Sequence, residues 1–487
     1  MPHNGEDKYS SQSTCKYHCG EYIVVLKGEQ KQEMEEIKYG IPKGSLKILC
    51  DEFRKYNKID SELFEIHHVR RGLRNDDGTG VMAGLTLICN VHGYLINEGE
   101  KMPIDGELIY RGINIKEIVR GSMQDNRFGF EEVIWLLLFG RLPTAPQLEG
   151  FCKLLAQLRE LPDFFTENVQ MNAPSNNLMN QLARSVLALY SYDEFPEDNT
   201  LEIMLTQSFE LIARMPTIMV NAYQVKRRNF DHESVFFHPL MGGHSIAESI
   251  LAAMRPDRQF TDDEAKLLDL CLMLHAEHGG GNNSTFACRL MTSSGTDIYA
   301  SVAGAIGSLK GPRHGGANIK VVEMLDCIKQ GVRDWSDDDE ITAYLVKILN
   351  KEAGDGTGLI YGMGHAVYTV SDPRSVILKD RARSLVEKAG LSGEFMLLDA
   401  IERLTSAAFL NARGIERNIC ANVDLYSGIV YQTLKIPPEL FTPLFAVART
   451  VGWCAHRIEE VTTSNRIMRP AYKAVAVKQS YIPLTER

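Results

Sequence analysis

Hydrophobic residues recur along most of this chain with the spacing of an α-helix rather than that of a β-strand. The pattern is clearest after Ser336, where the hydrophobic residues follow the i, i+3, i+4, i+7 rule: Ile341, Tyr344, Leu345, Ile348 and Leu349. Ser336 is the predicted N-cap, because its side chain can accept a backbone hydrogen bond and the acidic residues after it favour a helix start. Gly354 is the predicted end of this helix.

Other segments also favour a mainly helical fold. Thr261 and Glu264 form a predicted capping box ahead of the hydrophobic run LLDLCLMLH. The run Ala300–Gly311 is rich in small residues, which allow helices to approach each other closely. The best strand candidate is TLICNVHGYLINEG, in which β-favouring runs flank a predicted His-Gly turn. Because strands and helices do not alternate, we exclude a parallel α/β sheet and predict an all-α fold with one minor β-hairpin near the N-terminal part.

The first 80 residues are polar and mixed, and we interpret them as an N-terminal appendage. They contain a predicted charged helix, EQKQEMEEIKYG, and lead into a glycine-rich break, NDDGTGVMAG. Cys15, His18 and Cys19 resemble half of a metal site, but no second cysteine pair follows at a zinc-site spacing. We therefore predict no metal at this cluster.

Composition limits the possible functions. The chain has 487 residues, more than one compact domain usually holds, so we predict two domains. A formal net charge of -10 argues against a nucleic-acid partner, because phosphate binding needs clustered lysine and arginine. The apolar run Val133–Phe139 is too short to span a bilayer, and the N-terminus lacks the apolar run of a secretory signal. The ten cysteines are scattered, which is typical of reduced thiols and predicts a cytoplasmic location.

The candidate chemistry lies in four segments that combine glycine with an ionisable residue. Glycine has no side-chain bulk, so a ligand can approach the backbone and a neighbouring histidine closely. The segments are HAEHGGGNNST (His275–Thr285), GPRHGGAN (Gly311–Asn318), GMGHAVYTVSDPR (Gly362–Arg374) and NVDLYSG (Asn422–Gly428).

Each segment also has a purely structural interpretation. A histidine beside a turn is usually solvated or caps a helix, so Gly364 and His365 would end a helix and Asp424 would be an N-cap. Arg449 and His456 would be satisfied core residues of the apolar helix FTPLFAVARTVGWCAH. HAEH suggests two metal ligands one turn apart, but zinc hydrolases use a wider spacing with an intervening glutamate base. A metal hydrolase is therefore a poor alternative, and we predict no metal site.

Taken together and in order, these segments resemble the citrate synthase family from about Gly84 to Pro470. IDGELIYRGINIKEIV (Ile104–Val119) is similar to the family's early signature. GPRHGGAN, GMGHAVYTVSDPR and NVDLYSGIVYQTLKIPPELFTPLFAVARTVGWCAH resemble its most specific stretches, and RIMRP (Arg466–Pro470) resembles its C-terminal arginine motif.

The resemblance implies a condensation of acetyl-CoA with oxaloacetate in the tricarboxylic acid cycle, followed by hydrolysis of citryl-CoA. It assigns His314 to the thioester oxygen of acetyl-CoA and Asp424 to the removal of a methyl proton. It assigns His365 to the ketone of oxaloacetate. The implied dicarboxylate ligands are His278, Arg374, Arg449 and Arg469, and the implied CoA-adenine loop is Ile360, Tyr361, Gly362, Met363 and Gly364. No permanently bound cofactor is implied.

The resemblance also implies a large helical domain, formed by residues 81–315 and 436–487, and a small one, residues 316–435, with the site between them. It implies a homodimer in which Arg469 completes the site of the other subunit. One runner-up is 2-methylcitrate synthase, which uses propionyl-CoA, and another is a catalytically inactive binding paralogue. Arg313 departs from the small or apolar residue expected beside His314, and its positive charge is a candidate contact for a CoA phosphate.

Overall fold

The computed structural model of the chain describes residues 37–38, 41–98, 100–239, 242–414, 416–464 and 466–486. The chain divides into two compact units, Met1–Val81 and Met82–Arg487. The CKYHC cluster and residues 29–36 of the predicted charged helix lie outside the described residues. The predicted division of the later residues into a large and a small domain stays a prediction.

The described residues of the first unit include a short antiparallel strand pair and α-helices: β1 (Ile37–Lys38), β2 (Ile41–Pro42), α1 (Lys43–Tyr56) and α2 (Glu62–Ile66). The predicted charged helix is therefore wrong at Ile37 and Lys38, which are extended. Pro42 disfavours a helical conformation for the residue before it, so Ile41 is extended and pairs with Lys38. The glycine-rich break begins with a hydrogen-bonded turn, in which the Asn75 N–H donates to the Thr79 carbonyl oxygen.

Helices form most of the second unit, as the all-α prediction requires. Their bounds are α3 (Ile115–Gln124), α4 (Phe130–Phe139), α5 (Ala145–Gln157), α6 (Leu178–Leu189), α7 (Leu201–Phe230), α8 (Ile246–Met254), α9 (Asp262–His275), α10 (Asn283–Thr292), α11 (Ile298–Leu309), α12 (Ala317–Gly331), α13 (Asp338–Leu349), α14 (Pro373–Lys388), α15 (Ser392–Arg413), α16 (Val423–Thr433) and α17 (Phe441–Thr463). Among the described residues, no helix combines the length and the apolar character needed to cross a membrane.

A small antiparallel sheet precedes α3. It has the strand order β3 (Cys89–Asn97), β4 (Glu100–Tyr110) and β5 (Ile113–Asn114). The prediction of a minor hairpin is confirmed, but the predicted His-Gly turn is wrong. The chain continues through His92 and Gly93 as one strand with a β-bulge, where an extra residue bends the strand without reversing it.

The helix caps are partly as predicted. The Thr261 side chain accepts from the Glu264 N–H, and the capping box of α9 is complete. The cap predicted at Ser336 is wrong, because its hydroxyl donates to Asp334 and Asp337 caps α13 instead. A carboxylate at this position accepts the same backbone bonds as serine and adds negative charge at the positive end of the helix. Gly354 does not end the helix either, since α13 stops at Leu349.

Helix α17 lies at the centre of the fold and positions one of the predicted site arginines. It packs against α4, α7, α9, α10 and α11, and Trp453 within it is fully buried. A helix that is apolar on nearly all sides belongs in a core. Arg449, also buried, is carried on the same helix, so its guanidinium is held by a rigid core element.

Candidate active site

The predicted site residues come together from separate elements, with Arg469 as the exception. His278 follows α9, and His365 lies in the loop before α14. Their rings meet edge to face, with centroids 5.1 Å apart. Asp424, in the first turn of α16, is close enough to Arg374 and Arg449 for both guanidinium charges to act on its carboxylate.

Asp424 has the electrostatic character of a general base. Partial burial raises the pKa of its carboxyl to about 6, with Arg374 and Arg449 opposing the rise and Asp372 adding to it. Its backbone N–H donates to the side chain of Asn422, which is the N-cap of α16. The alternative in which Asp424 is the N-cap is therefore wrong, and its carboxylate is not used for capping.

His314 is held as a neutral imidazole. Its Nε2 accepts a hydrogen bond from the Ser284 backbone N–H at 3.3 Å and lies 3.0 Å from the Ser284 hydroxyl. Burial, with a smaller contribution from Arg449, lowers the pKa of His314 to about 4. Because a backbone N–H can only donate, Nε2 must be the acceptor, and the proton of the neutral ring is on Nδ1.

The backbone around His365 favours the other tautomer from that of His314. Nδ1 of His365 accepts from the backbone N–H groups of Val367 at 3.0 Å and Tyr368 at 3.1 Å. A nitrogen that accepts two such bonds carries no proton, so a neutral His365 carries its proton on Nε2. The alternative in which Gly364 and His365 end a helix is wrong, since both lie in a loop.

The loop Ile360–Gly364 is tied directly to the start of α16. The Gly364 N–H donates to the Cys420 carbonyl oxygen at 2.8 Å, and the Asn422 N–H donates to the Gly362 carbonyl oxygen at 2.9 Å. The Asn422 amide group also donates to the Gly364 carbonyl oxygen at 2.9 Å. Gly362 has a φ of 79°, a conformation that side chains disfavour, and an added Cβ would lie 2.9 Å from the Leu425 Cα. The predicted CoA loop and the predicted base are thus positioned together.

Two buried arginines give the site its positive charge. Nε and Nη2 of Arg374 donate to the two oxygens of Asp372, at 3.0 and 2.7 Å. Nε of Arg449 donates to the His275 carbonyl oxygen at 2.7 Å, and its guanidinium lies over the Phe445 ring at 4.7 Å. These contacts fix the planes of both guanidinium groups, which is what bidentate binding of a carboxylate requires.

The site contains buried polar atoms that have no protein partner among the described residues. They include Nη2 of Arg449 and Nε2 of His278. Burial and the nearby Arg374 charge lower the pKa of His278, which keeps its ring neutral. Since a buried donor without a partner costs free energy, these atoms fit a site completed by a polar ligand.

Arg469 lies outside this group. It is exposed and follows α17 in the C-terminal segment. Within the described part of the chain, no hydrogen bond or ion pair joins it to another predicted site residue. His456 is a buried core residue, as its purely structural interpretation predicted. Its Nε2 lies 3.1 Å from a Glu277 oxygen and its Nδ1 lies 2.8 Å from Nη1 of Arg289, so both ring nitrogens have partners.

Several contributing residues were not predicted from the sequence. Ser284 holds the tautomer of His314, Asp372 orients Arg374, and Asn422 joins the loop to α16. Tyr368 packs against His365. Asp372 lies inside a predicted segment, two residues before Arg374, and this spacing of opposite charges is a signal that the sequence contains. The described residues include no cluster of three or more metal-binding side chains.

Comparison with known proteins gives the family. The family model for the C-terminal domain of citrate synthase matches residues 77–471. A citrate synthase of Synechocystis sp. is 33% identical over 442 residues, which cover 89% of this chain and 96% of the relative. A citrate synthase of Deinococcus radiodurans is 35% identical over 410 residues, which cover 82% of this chain and 98% of the relative.

Solved structures of citrate synthases have a fold similar to that of this chain. Citrate synthase from Thermotoga maritima matches with a TM-score of 0.68 and 30% identity, covering 86% of this chain and 99% of that chain. Citrate synthase from Thermoplasma acidophilum, solved as a ternary complex with carboxymethyl coenzyme A and oxaloacetate, matches with a TM-score of 0.68 and 25% identity, covering 86% of this chain and 99% of that chain.

The family model spans most of the chain, and the relatives are more than 30% identical over nearly their whole length. The chain therefore belongs to the citrate synthase family, the acyltransferases of the tricarboxylic acid cycle that convert the acyl group into an alkyl group on transfer.

Proposed function

We propose that this enzyme condenses acetyl-CoA with oxaloacetate, with Asp424 as the base, His314 as the donor to the thioester oxygen and His365 as the acid at the ketone. The observation that carries the proposal is the protonation pattern. Asp424, with a pKa of about 6, is ionised at neutral pH, and His314 is a neutral N–H donor. The backbone leaves His365 with its proton on Nε2 when the ring is neutral.

The first step removes a methyl proton from the thioester. A thioester methyl group is a very weak acid, so a carboxylate alone removes its proton too slowly. A donor that meets the thioester oxygen stabilises the negative charge as it develops. A neutral histidine donates this bond while Asp424 accepts the proton, so acid and base act together near neutral pH.

In the second step the new carbon nucleophile attacks the ketone carbon of oxaloacetate. The ketone oxygen becomes an alkoxide, and the Nε2 proton of His365 is placed to neutralise it. The product is citryl-CoA, and hydrolysis of its thioester releases citrate and CoA. This hydrolysis makes the overall reaction irreversible.

Oxaloacetate carries two carboxylates, which suits a site built from arginines. We assign His278, Arg374 and Arg449 to this substrate, and Arg469 of a second copy completes the site in a homodimer. The Thermoplasma acidophilum relative holds oxaloacetate in its complex. The unpartnered buried atoms of His278 and Arg449 support the assignment, because a dicarboxylate supplies the missing acceptor for the arginine.

CoA is assigned to the loop Ile360–Gly364, whose backbone meets the adenine. Arg313 is exposed beside His314, where its charge is available to a CoA phosphate. Closure of the small domain over oxaloacetate would then complete the acetyl-CoA site and exclude water.

The described cysteines are all free thiols, which supports a cytoplasmic location.

The choice of acyl donor is tested by measuring thiol release with acetyl-CoA and with propionyl-CoA, each with and without oxaloacetate. We expect kcat/KM to favour acetyl-CoA by about 10–200-fold, the range that one methylene contributes in a shaped pocket. A preference for propionyl-CoA would instead identify a 2-methylcitrate synthase. No release with either donor would leave only the inactive paralogue.

Oxaloacetate should stabilise the protein against heat before acetyl-CoA is added. A ligand at 100 times its Kd that binds only the folded state stabilises it by about 2.7 kcal/mol. The measurement is a melting curve with oxaloacetate, with acetyl-CoA and with neither. Arg449→Gln is the control, since its midpoint should respond much less to oxaloacetate. A wild-type midpoint that does not move at saturating oxaloacetate would contradict the proposed binding of oxaloacetate in the absence of acetyl-CoA.

A further inference from the structure

We infer that Tyr368 is a positioning residue for His365, and that strands β3 and β4 hold Tyr368 in place. The inference rests on the proposed role of His365 at the ketone of oxaloacetate. The Tyr368 ring stacks on the imidazole of His365, with centroids 4.5 Å apart and 23° between the ring planes. A ring stacked on one face of the imidazole limits the rotation that would carry Nε2 away from its target.

Tyr368 is itself firmly held. Its side chain is buried, and its hydroxyl donates to the Glu107 carbonyl oxygen on β4 at 3.1 Å. Its backbone carbonyl oxygen lies 3.5 Å from the Cys420 sulfur, which donates to it. The His278 ring meets Tyr368 at 5.6 Å, so one tyrosine contacts both histidines proposed to bind oxaloacetate.

The sheet has space for this tyrosine because two of its residues are glycines. A Cβ added at Gly106 would lie 2.2 Å from the Ser371 carbonyl oxygen and 2.6 Å from Cδ1 of Tyr368. A Cβ added at Gly93 would lie 2.8 Å from the Val367 carbonyl oxygen and 3.1 Å from Cδ1 of Tyr368. Side chains at these positions would displace the loop that carries the tyrosine.

The loop is also fastened to the sheet beyond Tyr368. The Gly106 N–H donates to the Ser371 carbonyl oxygen at 3.1 Å, and the Ser371 hydroxyl donates to Asp105 at 2.9 Å. These bonds fix the loop on the C-terminal side of Tyr368, next to Asp372 and Arg374. The small sheet, which contributes none of the proposed catalytic side chains, thereby sets the geometry of one of them.

Accurate placement matters because the forming alkoxide must lie in line with the Nε2 proton. The two backbone bonds to Nδ1 fix one edge of the imidazole, but the ring can still tilt about that edge. A displacement of about 1 Å can lower a rate by about 10²-fold. The stacked tyrosine opposes this tilt, and its loss should affect the transition state more than the binding of oxaloacetate.

The test compares Tyr368→Leu, Tyr368→Phe and Gly93→Ala by steady-state kinetics, oxaloacetate binding and melting curves. Tyr368→Leu should lower kcat by about 10–100-fold, while the Kd for oxaloacetate changes by less than about tenfold. Tyr368→Phe keeps the ring and should restore most of kcat. Gly93→Ala should lower kcat as the leucine variant does. Gly121→Ala, in α3 with open space around its Cβ, is the matched control and should keep wild-type kcat.

His365→Asn separates this inference from the proposed function. If His365→Asn is inactive but folded Tyr368→Leu and Gly93→Ala keep wild-type kcat, the positioning role is wrong and the role of His365 stands. If His365→Asn keeps wild-type kcat, the proposed function of His365 itself is wrong. Should Tyr368→Leu fail to fold, Gly93→Ala decides, because it keeps the tyrosine and only displaces it. Equal losses in Tyr368→Phe and Tyr368→Leu would also overturn the stacking argument.

Discussion

Asp424→Asn should fold and bind oxaloacetate but lose turnover by about 10²–10⁴-fold, the usual cost of removing a general base. Asparagine is nearly the same size as aspartate and keeps the polarity of the position, but it cannot accept the methyl proton. The measurement is kcat at saturating concentrations of both substrates, with the Kd for oxaloacetate determined separately. Near wild-type turnover would mean that Asp424 serves only the structure of α16.

The raised pKa of Asp424 gives this variant a second, independent signature. An aspartate in the unfolded chain has a pKa of about 3.9, below the folded value of about 6. The folded state therefore binds the proton of the Asp424 carboxyl more tightly than the unfolded state does. The contribution of Asp424 to the free energy of unfolding falls as the pH rises from the unfolded pKa to the folded pKa. At pH 7.5 the wild type bears the cost of a charged, desolvated carboxylate and asparagine does not. We expect Asp424→Asn to melt no lower than the wild type at this pH.

The same pKa predicts the acidic limb of the pH profile. The wild-type kcat/KM should rise with pH through about 6, as the Asp424 carboxyl loses its proton and becomes a base. The limb should be absent from the residual activity of Asp424→Asn. A limb that persists unchanged in this variant would have to belong to another group.

The sequence predicted the helical class well because helices are local. The capping box at Thr261 and the hydrophobic periodicity of α13 both arise from residues within one helix. Ser336 was a plausible cap, yet Asp334 binds its hydroxyl and Asp337 caps instead. A choice between adjacent caps depends on side-chain geometry that residue types alone do not determine. β4 was not predicted, because its residues pair with β3 and with the loop at Ser371.

For the candidate site, the sequence pointed to individual residues but not to the contacts between them. The resemblance implied roles for the predicted site residues, but it implied none for the neighbouring residues that set their protonation. Ser284 reaches His314 across 30 positions of sequence, and Glu107 reaches Tyr368 across 261. These contacts depend on how the elements pack. The structure therefore adds the reasons why His314 is neutral and why the tautomer of His365 is fixed.

Arg469→Ala should raise the oxaloacetate concentration needed for half-maximal rate by about 30–4,000-fold, since losing one partner of a buried charge pair costs about 2–5 kcal/mol. Arg469 is exposed in the C-terminal segment of its own chain. We propose that it becomes buried against a second copy. The measurement is the KM for oxaloacetate. Arg466→Ala is the matched control, because Arg466 is another exposed arginine of the same segment and should leave this KM nearly unchanged.

Mixing Arg469→Ala with Asp424→Asn tests whether the arginine acts in trans. In a mixed dimer, one site combines the intact Asp424 of the first variant with the intact Arg469 of the second, and the other site carries both defects. Random exchange makes half of the dimers mixed, each with one of two sites restored, so about a quarter of wild-type activity should return. Exchange is verified separately by mass spectrometry of differently tagged subunits. Activity that stays at the level of the separate variants despite verified exchange would place Arg469 in the site of its own chain. A dimer whose sites each require both chains cannot be active as a monomer, so activity should also fall on dilution below the dimer dissociation constant.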